Sequence, residues 1–346
     1  MSSNWQDTGL WIPAWRFESS HPNPQSVSKG LKGEIKIFSG TANPKLSQKI
    51  SQYIEIPLGK CEIKRFADGE IWVEIKENIR RAEVFIIQPT CPPTNDNLME
   101  LLIMMDALKR ASAEKITTVI PYYGYARQDR KVEPRTPISA KLVANLIQVT
   151  GSNRVVTVDL HAGQIQGFFD IPVDNLYAMP IHIDYIRQKW GEGDDIVIVS
   201  PDTGGAPRAR AYGEHLKSGF AIIDKRRPKP NESEVVFVVG DVKGKYAIIV
   251  DDIVDTGGTI IKAAEALLNH GAKGVSAVCT HPILSLQAPE KIKDSPIDEL
   301  VVTNTIPLNG KDERAGGKIK VVSVAPLLGE AIMRIYEGRS VSELFI

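Results

Sequence analysis

Residues 249–259 read IVDDIVDTGGT, preceded by YAI and followed by IIKAAEALLNHG. The apolar run has the character of a buried parallel strand, and the pattern after Thr259 has the period of an amphipathic helix. Between them stand Asp251, Asp252 and Asp255 and the pair Gly257-Gly258. In open α/β sheets the ligand crevice lies outside the carboxyl ends of the strands. Two adjacent carboxylates there can hold hydroxyl groups directly or through a divalent cation. The glycines let the backbone curl. The amides that open the helix lack intrahelical partners and sit at the positive end of its dipole, which makes a phosphate cradle. Thr256 and Thr259 add hydroxyl donors.

The same strand–loop–helix style runs along the chain. EIKIFSG is a strand, and NPKLSQKISQYI is a helix with Asn43 as cap and Pro44 at its first position. CEIKRF and IWVEIK alternate in period two and predict a hairpin turning through Asp68-Gly69. In NLMELLIMMDALKRASA, residues Leu98, Leu101, Leu102, Met105 and Leu108 share one helical face. Strands KITTVIPYY, VVTVDLH, DIVIVSPD, GFAIIDKRRP and GVSAVCTHP alternate with helices PISAKLVANLIQVTG, PIHIDYIRQKW and GAPRARAYGEHLK. Such alternation specifies an α/β fold with mostly parallel sheets. The segment 106–121, DALKRASAEKITTVIP, also lines up with 265–280, EALLNHGAKGVSAVCT, which suggests two similar halves with a seam near Asn175–Pro180.

A length of 346 residues suits two such domains. The 42 basic and 42 acidic residues balance, so no global field recruits nucleic acid or a membrane surface. Cys61, Cys91 and Cys279 are far apart without a CxxC, which fits a reducing cytoplasm better than a disulfide or zinc scaffold. No apolar run reaches the roughly 18 residues of a membrane span. Residues 1–33 hold three tryptophans and no apolar block. They read as a flexible extension, with aromatic residues available for docking, and not as a secretory signal.

IVDDIVDTGGT resembles the phosphoribosyl-pyrophosphate-binding motif of the type I phosphoribosyltransferase fold. Further strings are similar to ribose-phosphate pyrophosphokinase (phosphoribosyl pyrophosphate synthase) of class I. They are RFADGE, TNDNLMELLIMMDAL, IPYYGYARQDRK, TPISAKLVANL, DLHAGQIQGFFDIPVDNL, VSPDTGG, DKRRPKPN, VVTNTIPL and SVSELF. The resemblance covers about 34–346. It implies two phosphoribosyltransferase-like domains, each a mostly parallel sheet flanked by helices, at 34–176 on the ATP side and 178–346 on the ribose 5-phosphate side. The implied activity moves the diphosphoryl group of MgATP to the 1-hydroxyl of ribose 5-phosphate, giving phosphoribosyl pyrophosphate and AMP. A phosphoribosyltransferase that consumes this product should lack the RFADGE and YARQDRK strings. A non-catalytic regulatory subunit should have lost the cations and the acids kept here.

The resemblance also implies residue roles. Phe66, Asp68, Gly69 and Glu70 would hold the adenine of ATP, with the loop reaching across a subunit interface. Arg127, Gln128 and Asp129 would also serve ATP. Val132, Glu133 and Pro134 depart from the family's more basic loop, which closes over the site. His161 and Asp202 belong with the magnesium of MgATP. Magnesium prefers oxygen ligands, so His161 would act through water or on phosphate. Lys225 and Arg227 are the catalytic cations, with Arg227 also facing ribose 5-phosphate. Asp251, Asp252, Asp255, Thr256, Gly257, Gly258 and Thr259 take the sugar phosphate. Dimers built into a hexamer, and regulation by phosphate and ADP, complete what the resemblance implies.

Overall fold

The computed structural model describes residues 10–11, 33–226 and 235–345. Its contacts divide the chain into two compact units. One comprises 1–14, 178–304 and 308–323; the other comprises 15–177, 305–307 and 324–346. Chain membership therefore changes at Tyr177–Ala178, and the chain returns after Ser323. Apart from Leu10, Trp11 and Gly33, the extension read over 1–33 lies outside the described residues.

In the unit that begins the folded chain, five parallel strands line up in the order Ile35–Ser39, Glu83–Ile87, Lys115–Ile120, Arg154–Val158 and Val173–Leu176. The helix Pro44–Ile54 starts as its sequence dictates. Asn43 Oδ1 accepts from the Leu46 amide at 3.3 Å, and proline fills the first position. The helix Thr94–Arg110 buries Leu98, Leu101, Met105 and Leu108; Leu102 is only half buried, and Met104 takes the fully buried place instead. Cys61–Arg65 and Ile71–Ile75 form the expected antiparallel hairpin, in register Cys61 to Ile75 and Arg65 to Ile71.

The last helix of this unit, Ala325–Glu337, was not foreseen from the sequence. It lies on Pro44–Ile54, and its Gly329 lets the two approach: a Cβ there would stand 2.6 Å from Tyr53 Cδ1.

The other unit holds an eight-stranded sheet. Its order is Leu10–Trp11, Ile319–Val322, Leu300–Thr303, Gly274–Pro282, Tyr246–Val254, Ile196–Ser200, Gly219–Arg226 and Val235–Val239. All neighbours are parallel except the last pair, which is antiparallel. Ile196–Ser200 and Gly274–Pro282 are buried along their whole length, which explains their mainly apolar composition, with Ser200, Ser276, Thr280 and His281 as buried polar exceptions.

Strand order decides where this sheet can bind. After Ile196–Ser200 the chain adds Gly219–Arg226 on one side. It then comes back to lay Tyr246–Val254 on the opposite side, and continues outward to Gly274–Pro282. The direction of winding thus reverses between Ile196–Ser200 and Tyr246–Val254, and such a switch point leaves a crevice at the carboxyl edge.

The suspected repeat has a structural counterpart within each unit. Ser112 and Gly271, at the same offset in the aligned segments, both adopt left-handed φ, 66° and 88°. Ala113 N donates to Leu108 O at 3.2 Å, and Ala272 N donates to Leu267 O at 3.1 Å. Both segments end a helix with the same turn and enter a parallel strand.

Candidate active site

The Tyr246–Val254 strand pairs with Ile196–Ser200 only as far as Ile249 with Val199. On its other side it continues to Val254 with Pro282. Asp251 and Asp252 therefore stand past the end of the shorter neighbour, on the open flank of the switch point. They lie within the strand, which runs two residues further than the end at Asp252 that the sequence suggested. Alternation sends them to different faces, with Asp252 buried and Asp251 partly exposed.

Both strands that flank the crevice end in the same tetrapeptide, Asp-Thr-Gly-Gly, at 202–205 and 255–258. The two loops are built differently. In the first, Asp202 Oδ1 accepts from the Gly205 amide at 2.9 Å, and the helix Ala206–His215 follows. In the second, Gly257 precedes the helix Gly258–Asn269 with φ 76°, a left-handed value that glycine adopts without strain. No side chain caps that helix, so its opening amides keep their donor capacity at the dipole's positive end. Thr256 and Thr259 are exposed beside them.

Sequence reasoning missed Arg208, which organises this site. Its Nη1 lies 3.1 Å from Asp251 Oδ1 and 3.1 Å from Asp252 Oδ1. A lone arginine inside APRAR carries no signal by itself; only the strand order brings it opposite the two acids. One turn further along the same helix, Tyr212 is buried, with its hydroxyl 2.8 Å from His182 Nδ1. Burial, then the nearby charges of His281 and Arg208, lower His182 to about 3 and hold it neutral. Beneath the acids, Cys279 is fully buried, and burial first, with both carboxylates, pushes its thiol well up.

Burial raises the Asp251 carboxyl to about 7, reinforced by the charge of Asp252 and a hydrogen bond with it and opposed by Arg208. A raised carboxyl stabilises the fold while protonated, and that contribution is lost as pH rises from about 4 through 7. The melting temperature of the wild type relative to Asp251→Asn should therefore fall between pH 5 and pH 8, by about 3 °C or more. Thermal melts with parallel pH dependence for the two proteins would contradict this.

Gly219–Arg226 runs parallel to Ile196–Ser200 with Ile222 opposite Ser200. It continues four residues further, to Arg226, or about 13 Å at the usual rise. The backbone of Lys225 thus lies beyond the carboxyl edge on which the two loops stand, paired with Val236. Arg227 is outside the described residues.

In the other unit, the Arg127–Asp129 loop and His161 leave the adjacent strands Lys115–Ile120 and Arg154–Val158. Gln164 Nε2 ties them by donating to Asp129 Oδ2 at 2.8 Å. Gln128 is pinned through its Oε1, which accepts from Ser139 Oγ at 2.5 Å. Arg127, Gln128 and His161 are exposed. Glu133 lies in an exposed turn, where its carbonyl accepts from Thr136 Oγ1 at 2.7 Å. At the same edge the buried Glu100 accepts from the amide and hydroxyl of Thr41, 2.6 Å each, and fixes the loop after Ile35–Ser39.

The Phe66–Glu70 turn forms the hairpin tip. Phe66 N donates to Glu70 O at 2.8 Å, Asp68 Oδ1 accepts from the Glu70 amide at 3.1 Å, and Phe66 is 55% exposed. An aromatic ring that open offers a stacking surface. The hairpin reaches the Thr94–Arg110 helix through Arg65 and Asp96, 3.6 Å apart.

Two family models match this chain. One is the N-terminal domain of ribose phosphate pyrophosphokinase over residues 35–151, and the other is the phosphoribosyl synthetase-associated domain over residues 226–346. The ribose-phosphate pyrophosphokinase of Campylobacter jejuni is 58% identical over 311 residues, 90% of this chain and 99% of its own. That of Caldanaerobacter subterraneus is 58% identical over 90% of this chain and 98% of its own. The chain belongs to the ribose-phosphate pyrophosphokinase family. The crystal structure of phosphoribosylpyrophosphate synthetase from Mycobacterium smegmatis superposes with a TM-score of 0.83 at 41% identity, covering 88% of this chain and 99% of that one.

Membership in the ribose-phosphate pyrophosphokinase family agrees with two sheets flanked by helices and with the absence, among the described residues, of any helix long and apolar enough to cross a membrane. A family enzyme working on magnesium nucleotide needs no all-protein metal cage. Among the described residues no three His, Cys, Asp or Glu side chains cluster to form one. The donors on offer are the Asp251–Asp252 pair and carboxylates in the glycine-bearing loops, such as the exposed Asp202. They fit magnesium that keeps its waters and arrives with phosphate oxygens.

Proposed function

We propose that this protein transfers the diphosphoryl group of MgATP to the 1-hydroxyl of ribose 5-phosphate, releasing AMP and phosphoribosyl pyrophosphate. The single observation that carries the residue assignment is the switch-point crevice: two acids on its open flank, a helix-opening glycine loop on each side. A sugar phosphate presents hydroxyls at one end and a dianion at the other, which is the chemistry those two features complement.

Asp251 and Asp252 hold the ribose hydroxyls, and the amides and hydroxyls of 255–259 hold the 5-phosphate. The 202–205 loop faces the diphosphate. The 1-hydroxyl oxygen attacks the β-phosphorus and gives up its proton to solvent, the bond from that phosphorus to the α-phosphate oxygen breaks, and AMP leaves with the electron pair. The protein aligns these atoms and neutralises charge. Lys225 and Arg227 supply that neutralisation on the transferring group. Phe66, Asp68, Gly69 and Glu70, with Arg127, Gln128 and Asp129, serve the nucleotide. His161 and Asp202 attend its magnesium, which neutralises phosphate charge when bound.

The same reading gives a homo-oligomer of dimers assembled into a hexamer, responsive to phosphate and ADP, and working in the cytoplasm, where Cys61, Cys91 and Cys279 persist as free thiols. Within the chain it assigns 34–176 to nucleotide binding and 178–346 to the sugar phosphate, with 1–33 as an appended flexible segment.

The test is direct. Purified protein given MgATP and ribose 5-phosphate, with no nucleobase, should release AMP and phosphoribosyl pyrophosphate in equal amounts. AMP formation that depends on an added base, or no AMP at all, would overturn the reading.

A further inference from the structure

Arg208 has no part in the roles assigned so far, yet it contacts both sugar-binding acids through one nitrogen. It sits in the first turn of Ala206–His215, directly after the 202–205 loop. It reaches across the switch point to the Tyr246–Val254 strand. One side chain thus joins the loop on one wall of the crevice to the acids on the other.

The acids need such a partner. Two neighbouring carboxylates repel, and ionising both near a buried position is costly unless a cation bridges them. Arg208 bridges them as a divalent ion would, with one donor shared equally between two oxygens. Its own anchorage is firm. Tyr212 holds the same helix from behind through its bond to His182, inside a layer where Tyr212 and His182 are 3% and 0% exposed. Asp251 Oδ1 also accepts from the Asp252 amide at 2.9 Å, so that oxygen is fixed from two directions.

We infer that Arg208 is a positioning residue for the sugar site: it holds the Asp251 and Asp252 side chains in place and aimed into the crevice before ribose 5-phosphate arrives. The inference rests on the functional reading above, since it takes the acids as the sugar's partners. Loss of Arg208 should therefore weaken sugar phosphate binding and leave the nucleotide untouched. Charge-assisted hydrogen bonds of this kind set a change of about tenfold to a hundredfold.

The experiment compares wild type, Arg208→Gln and Arg208→Lys in steady-state kinetics and in calorimetric titration with ribose 5-phosphate. Arg208→Gln should raise the KM and the Kd for ribose 5-phosphate about tenfold or more, with the KM for ATP within about twofold and kcat falling less than KM rises. Arg208→Lys keeps the charge but not the planar fork and should recover part of the loss, with KM raised about threefold. A purely structural role would instead raise both KM values and lower kcat together, in step with a falling melting temperature.

Equal effects on the two substrates, or a ribose 5-phosphate KM within threefold of wild type in Arg208→Gln, overturn the inference. Should Arg208→Gln not fold, Arg208→Lys decides alone: a wild-type KM for the sugar phosphate overturns the proposal, and a selective rise supports it. A wild type that binds ribose 5-phosphate but forms no AMP would sink the functional reading only. The titrations would still judge Arg208. A wild type that binds no ribose 5-phosphate overturns both.

Discussion

Lys225→Ala is expected to lower turnover by at least about 10²-fold while ribose 5-phosphate still binds. The strand that carries Lys225 outruns its neighbour by four residues at the carboxyl edge of the sheet, and Lys225 lies near its end. On the proposed reading, the cation acts when charge moves onto the departing AMP oxygen. Its loss therefore falls on kcat more than on sugar affinity. Steady-state turnover combined with titration of ribose 5-phosphate separates the two. Unchanged turnover removes Lys225 from the chemistry, whereas lost sugar binding with intact turnover at saturation makes it a binding residue instead.

The paired substitution Asp251→Asn with Asp252→Asn should weaken ribose 5-phosphate by about tenfold or more and ATP by less than about threefold. Both acids flank the switch point, and both face Arg208 at 3.1 Å. Neutralising them leaves that guanidinium without its anions, so some stability is lost as well. Comparison with ATP affinity on the same folded sample controls for this, because a general loosening would weaken both ligands. Isothermal titration that finds ATP more affected than the sugar phosphate contradicts the assignment.

Much of this was legible in the chain because local pattern and global fold agree. Apolar runs such as IVIVS and GVSAVCTHP became fully buried parallel strands, and Asn43-Pro44 capped its helix as expected. The glycine loops could be read because glycine and aspartate at a strand end serve few purposes other than a turn that presents amides. Strand order was less accessible. Nothing local in YAIIVDDIV says that it inserts beside Ile196–Ser200 and not beside Val235–Val239, which precedes it in sequence.

Every miss follows from that non-local step. Arg208 reads as a solvated charge until the two strands are neighbours. His182 and Tyr212 read as ordinary helix positions until the helices that carry them meet. The return of Ala325–Glu337 to the first unit depends on the close approach permitted by Gly329, which no periodicity announces. The two Asp-Thr-Gly-Gly loops carry the same letters but differ in backbone, because one supports its turn through Asp202 and the other through a left-handed Gly257.

A crystal structure of the protein soaked with ribose 5-phosphate is the most direct measurement of whether the helix-opening loop receives the phosphate. The expected result places the phosphate oxygens about 3 Å from the amides of residues 256–259, with the ribose hydroxyls directed to Asp251 and Asp252. Sugar phosphate bound with its dianion elsewhere, or a loop left vacant while the sugar occupies another part of the protein, would contradict the account.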